Sequence, residues 1–177
     1  MEYKSVLPLS FTEKEYHCML DHLNKDTILL EYGSGISTLK LSRHVKFLHS
    51  IEHDSKWFEK VRLAILNGQI KNVNIYYLPP EDKNDKYSYI DIDIQELNME
   101  YGFKLFSSYI NFADNIKFTD VFLDGRARVH CANKVYEKMD NNSYLFMHDF
   151  DRCYYKSILE KFKLVTLTDR LGILQIA

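Results

Sequence analysis

The chain has 177 residues, 46% hydrophobic and 27% charged, with a formal net charge of −2. That length suits one domain with a sizeable core, and the apolar content excludes a disordered chain. A near-neutral balance leaves no basic footprint for nucleic acid, and apolar runs such as Thr27–Leu30 and Val121–Leu123 are too short to span a membrane.

From the N-terminus, Ser10 or Thr12 can cap a helix over Thr12–Leu23, where Tyr16, Met19, Leu20 and Leu23 recur at helical spacing. Thr27–Tyr32 reads as a buried strand ending at Gly33, Thr38–His44 as a helix and Val45–Ile51 as a second strand. Asp54 or Ser55 caps a helix through Asn67, with Phe58, Val61, Ile65 and Leu66 inward and Gly68 as the stop. Val73–Leu78 is a third strand. Residues 79–95 form a loop or lid, with breakers and charges over Pro79–Asp93. Glu96–Phe112 is mostly helical, weakened at Gly102.

Asp120–Asp124 is a fourth strand ending at Gly125, and Arg128–Met139 a helix with Val129, Ala132, Val135, Tyr136 and Met139 on one face. Ser143–His148 is a fifth strand and Tyr154–Phe162 a short helix. Lys163–Thr168 and Gly172–Ile176 are the last two strands, joined by Asp169-Arg170-Leu171. Five alternations of strand and helix argue for a parallel sheet covered on both faces. So short a final connection cannot make a parallel crossover, so the last strand runs antiparallel beside the sixth. The expected fold is α/β: a seven-stranded, mostly parallel sheet with an antiparallel last strand, in a three-layer sandwich. One domain, 1–177, holds it all, with an N-terminal helical segment over 1–26.

Cys18, Cys131 and Cys153 form no CxxC pair and read as reduced thiols. Met1–Ser5 opens no basic-then-apolar secretory pattern, so a cytoplasmic location is expected.

The first strand runs into Glu31-Tyr32-Gly33-Ser34-Gly35-Ile36-Ser37-Thr38. A Gly-x-Gly between a strand and a helix lets backbone approach a ligand. The dinucleotide fingerprint wants a third small residue where this chain has Thr38, and Glu31 would repel a pyrophosphate. The same acid suits a ligand with an ammonium group, which points to S-adenosylmethionine. At the second strand tip, Glu52 is placed to hold a ribose diol, 17 residues after Gly35. Asp54 reads as a helix cap, and His53 as a surface residue or a contact on the adenine side.

These segments resemble class I S-adenosylmethionine-dependent methyltransferases. The glycine loop is similar to that family's Glu-x-Gly-x-Gly loop, with Ser37 where many members have glycine. Ser50-Ile51-Glu52-His53-Asp54 is similar to its ribose-binding acidic tip, and the resemblance extends over Thr27–Ala177. It implies a Rossmann-like fold. Asp124-Gly125-Arg126-Ala127-Arg128 and His148-Asp149-Phe150-Asp151-Arg152 also resemble a compact subgroup of bacteria and large DNA viruses, sometimes attached to glycosyltransferases; for a viral chain the compartment would be the host cytoplasm.

Cofactor contacts are therefore expected from Glu31, Tyr32, Gly33, Ser34, Gly35, Ser37, Thr38, Glu52, His53 and Asp124. Ser37 and Thr38 would donate to the methionine carboxylate or serve as ordinary helix-start caps. Catalysis is expected from Asp124 or His148 as base, with Asp149 orienting His148 or binding the acceptor. Arg126, Arg128 and Arg152 form an anion or sugar-hydroxyl site, or a solvated set of ion pairs. In the catechol-type branch, Asp124 and Asp149 would hold a divalent metal such as Mg²⁺, although His148-Asp149-Phe150 departs from its Asp-Asn pair. The expected activity is O-methylation of a small molecule or a glycan. The alternatives are an NAD(P)-dependent reductase and a catalytically inactive ligand-binding module.

Overall fold

A computed structural model of the chain describes residues 11–82 and 99–177. The Ser10 cap, residues 1–10 of the N-terminal segment, most of the loop expected at 79–95 and the helix start expected at Glu96 lie outside the described residues.

The strands are β1 (Ile28–Tyr32), β2 (Phe47–Glu52), β3 (Val73–Tyr77), β4 (Asp120–Leu123), β5 (Leu145–Met147), β6 (Phe162–Thr168) and β7 (Leu171–Ile176). They form one sheet in the order β3-β2-β1-β4-β5-β7-β6. β1 to β5 pair in parallel, and β7 lies antiparallel between β5 and β6, as the short final connection requires.

The helices are α1 (Glu13–Leu20), α2 (Ile36–Leu41), α3 (Ser55–Asn67), α4 (Met99–Leu105), α5 (Ser107–Asn111) and α6 (Arg128–Tyr136). Alternate strand residues face opposite sides, so β4 sends Val121 and Leu123 into one core and Phe122 into the other. The first core is closed by α5, α6 and the 3-10 segment Cys153–Glu160, the second by α1, α2 and α3. This is the expected three-layer arrangement, with central strands buried on both faces.

Several boundaries differ from expectation for local reasons. α2 starts two residues early, because Thr38 turns back to accept the Gly35 N–H and closes the first turn. On α3 only Val61 and Ile65 are buried; Leu66 is 58% exposed, because one further residue rotates it about 100° from Ile65. The expected long helix ending at Phe112 breaks at Phe106, not at Gly102, whose carbonyl still accepts the Phe106 N–H. The expected helix over Tyr154–Phe162 is the 3-10 segment instead, and Phe162 already belongs to β6. β5 stops at Met147, and Asp149 then turns the chain at φ 57°.

Among the described residues, no helix is long and apolar enough to cross a membrane.

Candidate functional site

The carboxyl ends of parallel strands are where such sheets bind ligands. Here β1 and β4 leave the sheet backbone to backbone. Gly33 adopts φ 94°, and a Cβ on it would lie 2.6 Å from the Gly125 Cα. A Cβ on Gly125 would lie 2.8 Å from the Gly33 nitrogen and 2.1 Å from the Tyr109 hydroxyl. Only glycine at both positions lets the two loops meet. Above this contact opens a cleft of about 640 Å³, a size suited to a small-molecule ligand.

Of the expected cofactor residues, Gly33, Ser34, Gly35 and Ser37 line the cleft from the first loop, and Glu52 and His53 from the tip of β2. Asp124, Arg126 and Arg128 line it from the β4 side. Glu31, Tyr32, Thr38, His148, Asp149 and Arg152 are not among its lining residues.

Glu31 corrects the expectation that its charge faces a ligand. It is wholly buried behind the glycine loop, where Ser37 Oγ, Thr38 Oγ1 and Ser50 Oγ each donate to its carboxylate at 2.5 Å. Burial drives its pKa up to about 7 against the pull of these three hydroxyls. The hydroxyls of Ser37 and Thr38 therefore point at Glu31, not at a methionine carboxylate. Tyr32 likewise turns into the core and donates to the Ile110 carbonyl at 3.1 Å.

At the β2 tip, Glu52 accepts the backbone N–H groups of Ser34 (2.9 Å), His53 (2.8 Å) and Asp54 (2.9 Å). Those donors hold its carboxylate at the edge of the cleft. His53 Nδ1 is buried beside the cleft 2.8 Å from Glu52 Oε1 but out of line for a hydrogen bond, and it makes none among the described residues. Asp54 caps α3 through the Trp57 N–H at 2.7 Å. Trp57 in turn donates its indole N–H to the Ser34 carbonyl and pins the loop from outside. The exposed Lys56 and Lys60 add positive charge at the rim.

Behind the β4 side lies a network of buried charges. His148 Nδ1 is 3.0 Å from Asp124 Oδ1 and 3.5 Å from Asp149 Oδ1, and its Nε2 is 3.7 Å from Glu15 Oε2. Burial disfavours the charged ring, but the Asp124 hydrogen bond and the charges of Asp124, Asp149 and Glu15 together raise its pKa. Arg128 lines the cleft and is at the same time tied up as a brace. Its guanidinium donates to the carbonyls of Gly125 (2.9 Å) and His148 (2.6 Å) and to Asp149 (3.3 Å), tying the ends of β4 and β5. Arg152 likewise pairs with Asp149 at 3.1 Å and donates to the Tyr154 hydroxyl. Arg126 is the expected arginine that reaches across the cleft, its Nε 3.4 Å from His53 Nε2.

The donor atoms of Asp124, His148 and Asp149 lie within 4.8 Å of one another, which is where a metal would sit. The surroundings do not fit a divalent cation. Asp149 already faces the guanidinium groups of Arg128, Arg152 and Arg170, which repel a cation and occupy its carboxylate oxygens. The metal expectation at Asp124 and Asp149 is corrected on that ground.

Sequence reasoning missed Glu15 and Arg170. The first was visible only as a helix-capping residue, and the second only as part of a hairpin turn.

No protein-family model matches the chain, and no curated protein matches its sequence. Solved structures do share its fold. A methyltransferase-like protein from Silicibacter pomeroyi superposes with a TM-score of 0.71 at 20% identity, over 96% of this chain and 88% of that one. A candidate methyltransferase from Streptococcus mutans, in complex with S-adenosylhomocysteine, gives 0.62 at 10% identity, over 94% and 100%. An rRNA methylase from Streptococcus thermophilus gives 0.58 at 10% identity, over 94% and 99%. The sheet is thus that of the Rossmann-like methyltransferase fold, and at these identities the likeness establishes fold alone.

Proposed function

We propose that the chain is an S-adenosylmethionine-dependent methyltransferase acting on a hydroxyl of a small-molecule or glycan acceptor. The observation that carries this reading is the placement of Glu52 and Asp124 on opposite sides of one cleft, across the Gly33–Gly125 contact. Glu52, fixed by three N–H groups, suits a ribose diol, and His53 Nδ1, with no hydrogen bond among the described residues, offers a polar contact beside it. The donor set fits a nucleoside carrying positive charge. A pyrophosphate fits poorly, because the loop N–H groups of Gly33, Ser34 and Gly35 already serve Ile51, Glu52 and Thr38. The free thiols of Cys18, Cys131 and Cys153 suit a reducing compartment such as the cytoplasm.

S-adenosylmethionine supplies an electrophilic methyl group when bound. Asp124 reaches the cleft, accepts a hydrogen bond from the acceptor hydroxyl and takes its proton as the oxygen is alkylated. His148 is 5% exposed at its side chain and stands behind Asp124. Of the two arginines at the cleft, Arg126 holds an acceptor hydroxyl or anionic group.

Calorimetry with S-adenosylhomocysteine and with NADH tests the reading. S-adenosylhomocysteine is expected to bind, and Glu52→Ala to weaken it about tenfold or more, close to 1.4 kcal/mol. Binding of NADH alone would overturn the reading in favour of a reductase.

A further inference from the structure

The acids at the ends of β4 and β5 surround an imidazole, and the third acid comes from far away in sequence. Glu15 is 1% exposed, and its two oxygens do three things. Oε2 accepts the Thr12 N–H at 2.6 Å and completes the capping box of α1. Oε1 accepts the Arg170 N–H at 2.9 Å from the β6–β7 turn. Oε2 also stands 3.7 Å from His148 Nε2, at ion-pair distance. A capping box needs only the first of these contacts, and it is ordinarily a surface motif.

We propose that Glu15 is a positioning residue that, through the His148 ring, fixes the Asp124 carboxylate at the cleft, with that ring rather than a metal ion lying between the strand tips. A neutral imidazole has one N–H, and its other nitrogen presents a lone pair. Here Asp124 and Asp149 face Nδ1 and Glu15 faces Nε2, so either neutral tautomer sets a lone pair against a carboxylate. A ring with hydrogen on both nitrogens satisfies both sides and can sit in one orientation only. The other charged groups packed here are Arg128 from α6, which stands 3.4 Å from Asp124 Oδ1 and donates to the His148 carbonyl and Asp149, and Arg152 and Arg170, both on Asp149. They balance the acids without occupying the ring nitrogens. Asp124 thereby gains a fixed donor on Oδ1, from a ring that does not line the cleft.

The role of Asp124 rests on the methyltransferase reading, but the state of the ring does not. The test is therefore an NMR titration of the His148 ring in the ligand-free protein, with S-adenosylhomocysteine affinity measured on the same samples. In the wild-type chain the His148 midpoint is expected above the ordinary value of about 6.5. Glu15→Gln removes the charge beside Nε2 while its one amide oxygen can still accept the Thr12 N–H of the capping box, at the expense of the Arg170 N–H contact, and is expected to lower the midpoint. Thr12→Ala removes the cap, leaves the Glu15 charge, and is expected to leave the midpoint in place. Added Mg²⁺ is expected to leave the ring resonances unmoved. A wild-type midpoint below the ordinary value overturns the proposal even if Glu15→Gln fails to fold. So does an unmoved midpoint in Glu15→Gln, an equal shift in Thr12→Ala, or displacement of the ring signals by Mg²⁺. Loss of S-adenosylhomocysteine binding in the wild-type chain would instead count against the methyltransferase reading.

Discussion

Two buried acid clusters flank the Gly33–Gly125 contact, and they are stabilised in opposite ways. Glu31 is surrounded by three hydroxyls, and among the described residues no cation lies within ion-pair distance of it. Asp149 faces three guanidinium groups, with the His148 ring alongside. Hydroxyls solvate a carboxylate only in part, so burial prevails at Glu31 and its pKa rises to about 7. The first cluster therefore ties the hydroxyls of the loop and of β2 together around an acid only partly charged at neutral pH, shaping the glycine loop from behind. The second keeps charge in place beside the cleft. The fold thus separates the cluster that gives the loop its shape from the cluster that sets the electrostatics of the cleft.

The largest way to break this division is Arg128→Met. The change leaves carbonyls of Gly125 and His148 without their donor and strips a cation from Asp149. A loss of about 3–5 kcal/mol is expected, measured by denaturant unfolding. A loss below about 1 kcal/mol would return Arg128 to the status of a mobile arm available to the acceptor.

Gly33→Ala attacks the point where the two clusters meet. The added Cβ combines a positive φ with contact to the Gly125 Cα at 2.6 Å. Neither neighbour can yield, because both are backbone. A loss of about 3 kcal/mol is expected, with weakened S-adenosylhomocysteine binding as the loop shifts. Unchanged stability would mean that the loops do not touch.

What the sequence disclosed follows the same division. The strand tips were legible, because short apolar runs end at Gly33, Glu52 and Asp124, and the short final connection forced the reversal of β7. The direction of Glu31 was not. β1 is buried on both faces, so its periodicity cannot say whether an acid meets ligand or hydroxyl, and Ser50 arrives from a neighbouring strand. Arg126, Arg128 and Arg152 read equally as a ligand site or as a set of ion pairs, because arginine beside a strand tip serves either. The partner shared by Arg128 and Arg152, Asp149, also takes Arg170 from a hairpin that no local pattern connects to it. Leu66 was misplaced by simple helical arithmetic, one residue past the buried pair Val61 and Ile65.

The smallest predicted effect isolates the hydroxyl-bound acid. The folded pKa of Glu31, about 7, lies above its ordinary value of 4.5, so the folded state holds the proton more tightly than the unfolded chain. Its contribution to stability is then fully present below about pH 4.5 and is lost as the pH rises toward 7. Across that window the wild-type chain is expected to lose on the order of 2 kcal/mol from this group alone. His148 and Asp120 also have raised values and tilt the curve the same way, so the raw wild-type profile cannot isolate Glu31. The difference between wild type and Glu31→Gln can, since glutamine has no proton to lose and leaves the other groups in place. Unfolding of both proteins from pH 4.5 to pH 8 should show the variant gaining on the wild type as the pH rises, with the gain levelling off above pH 7. A difference that stays flat across the range would mean that Glu31 titrates like an exposed acid, and the contrast between the two clusters would vanish.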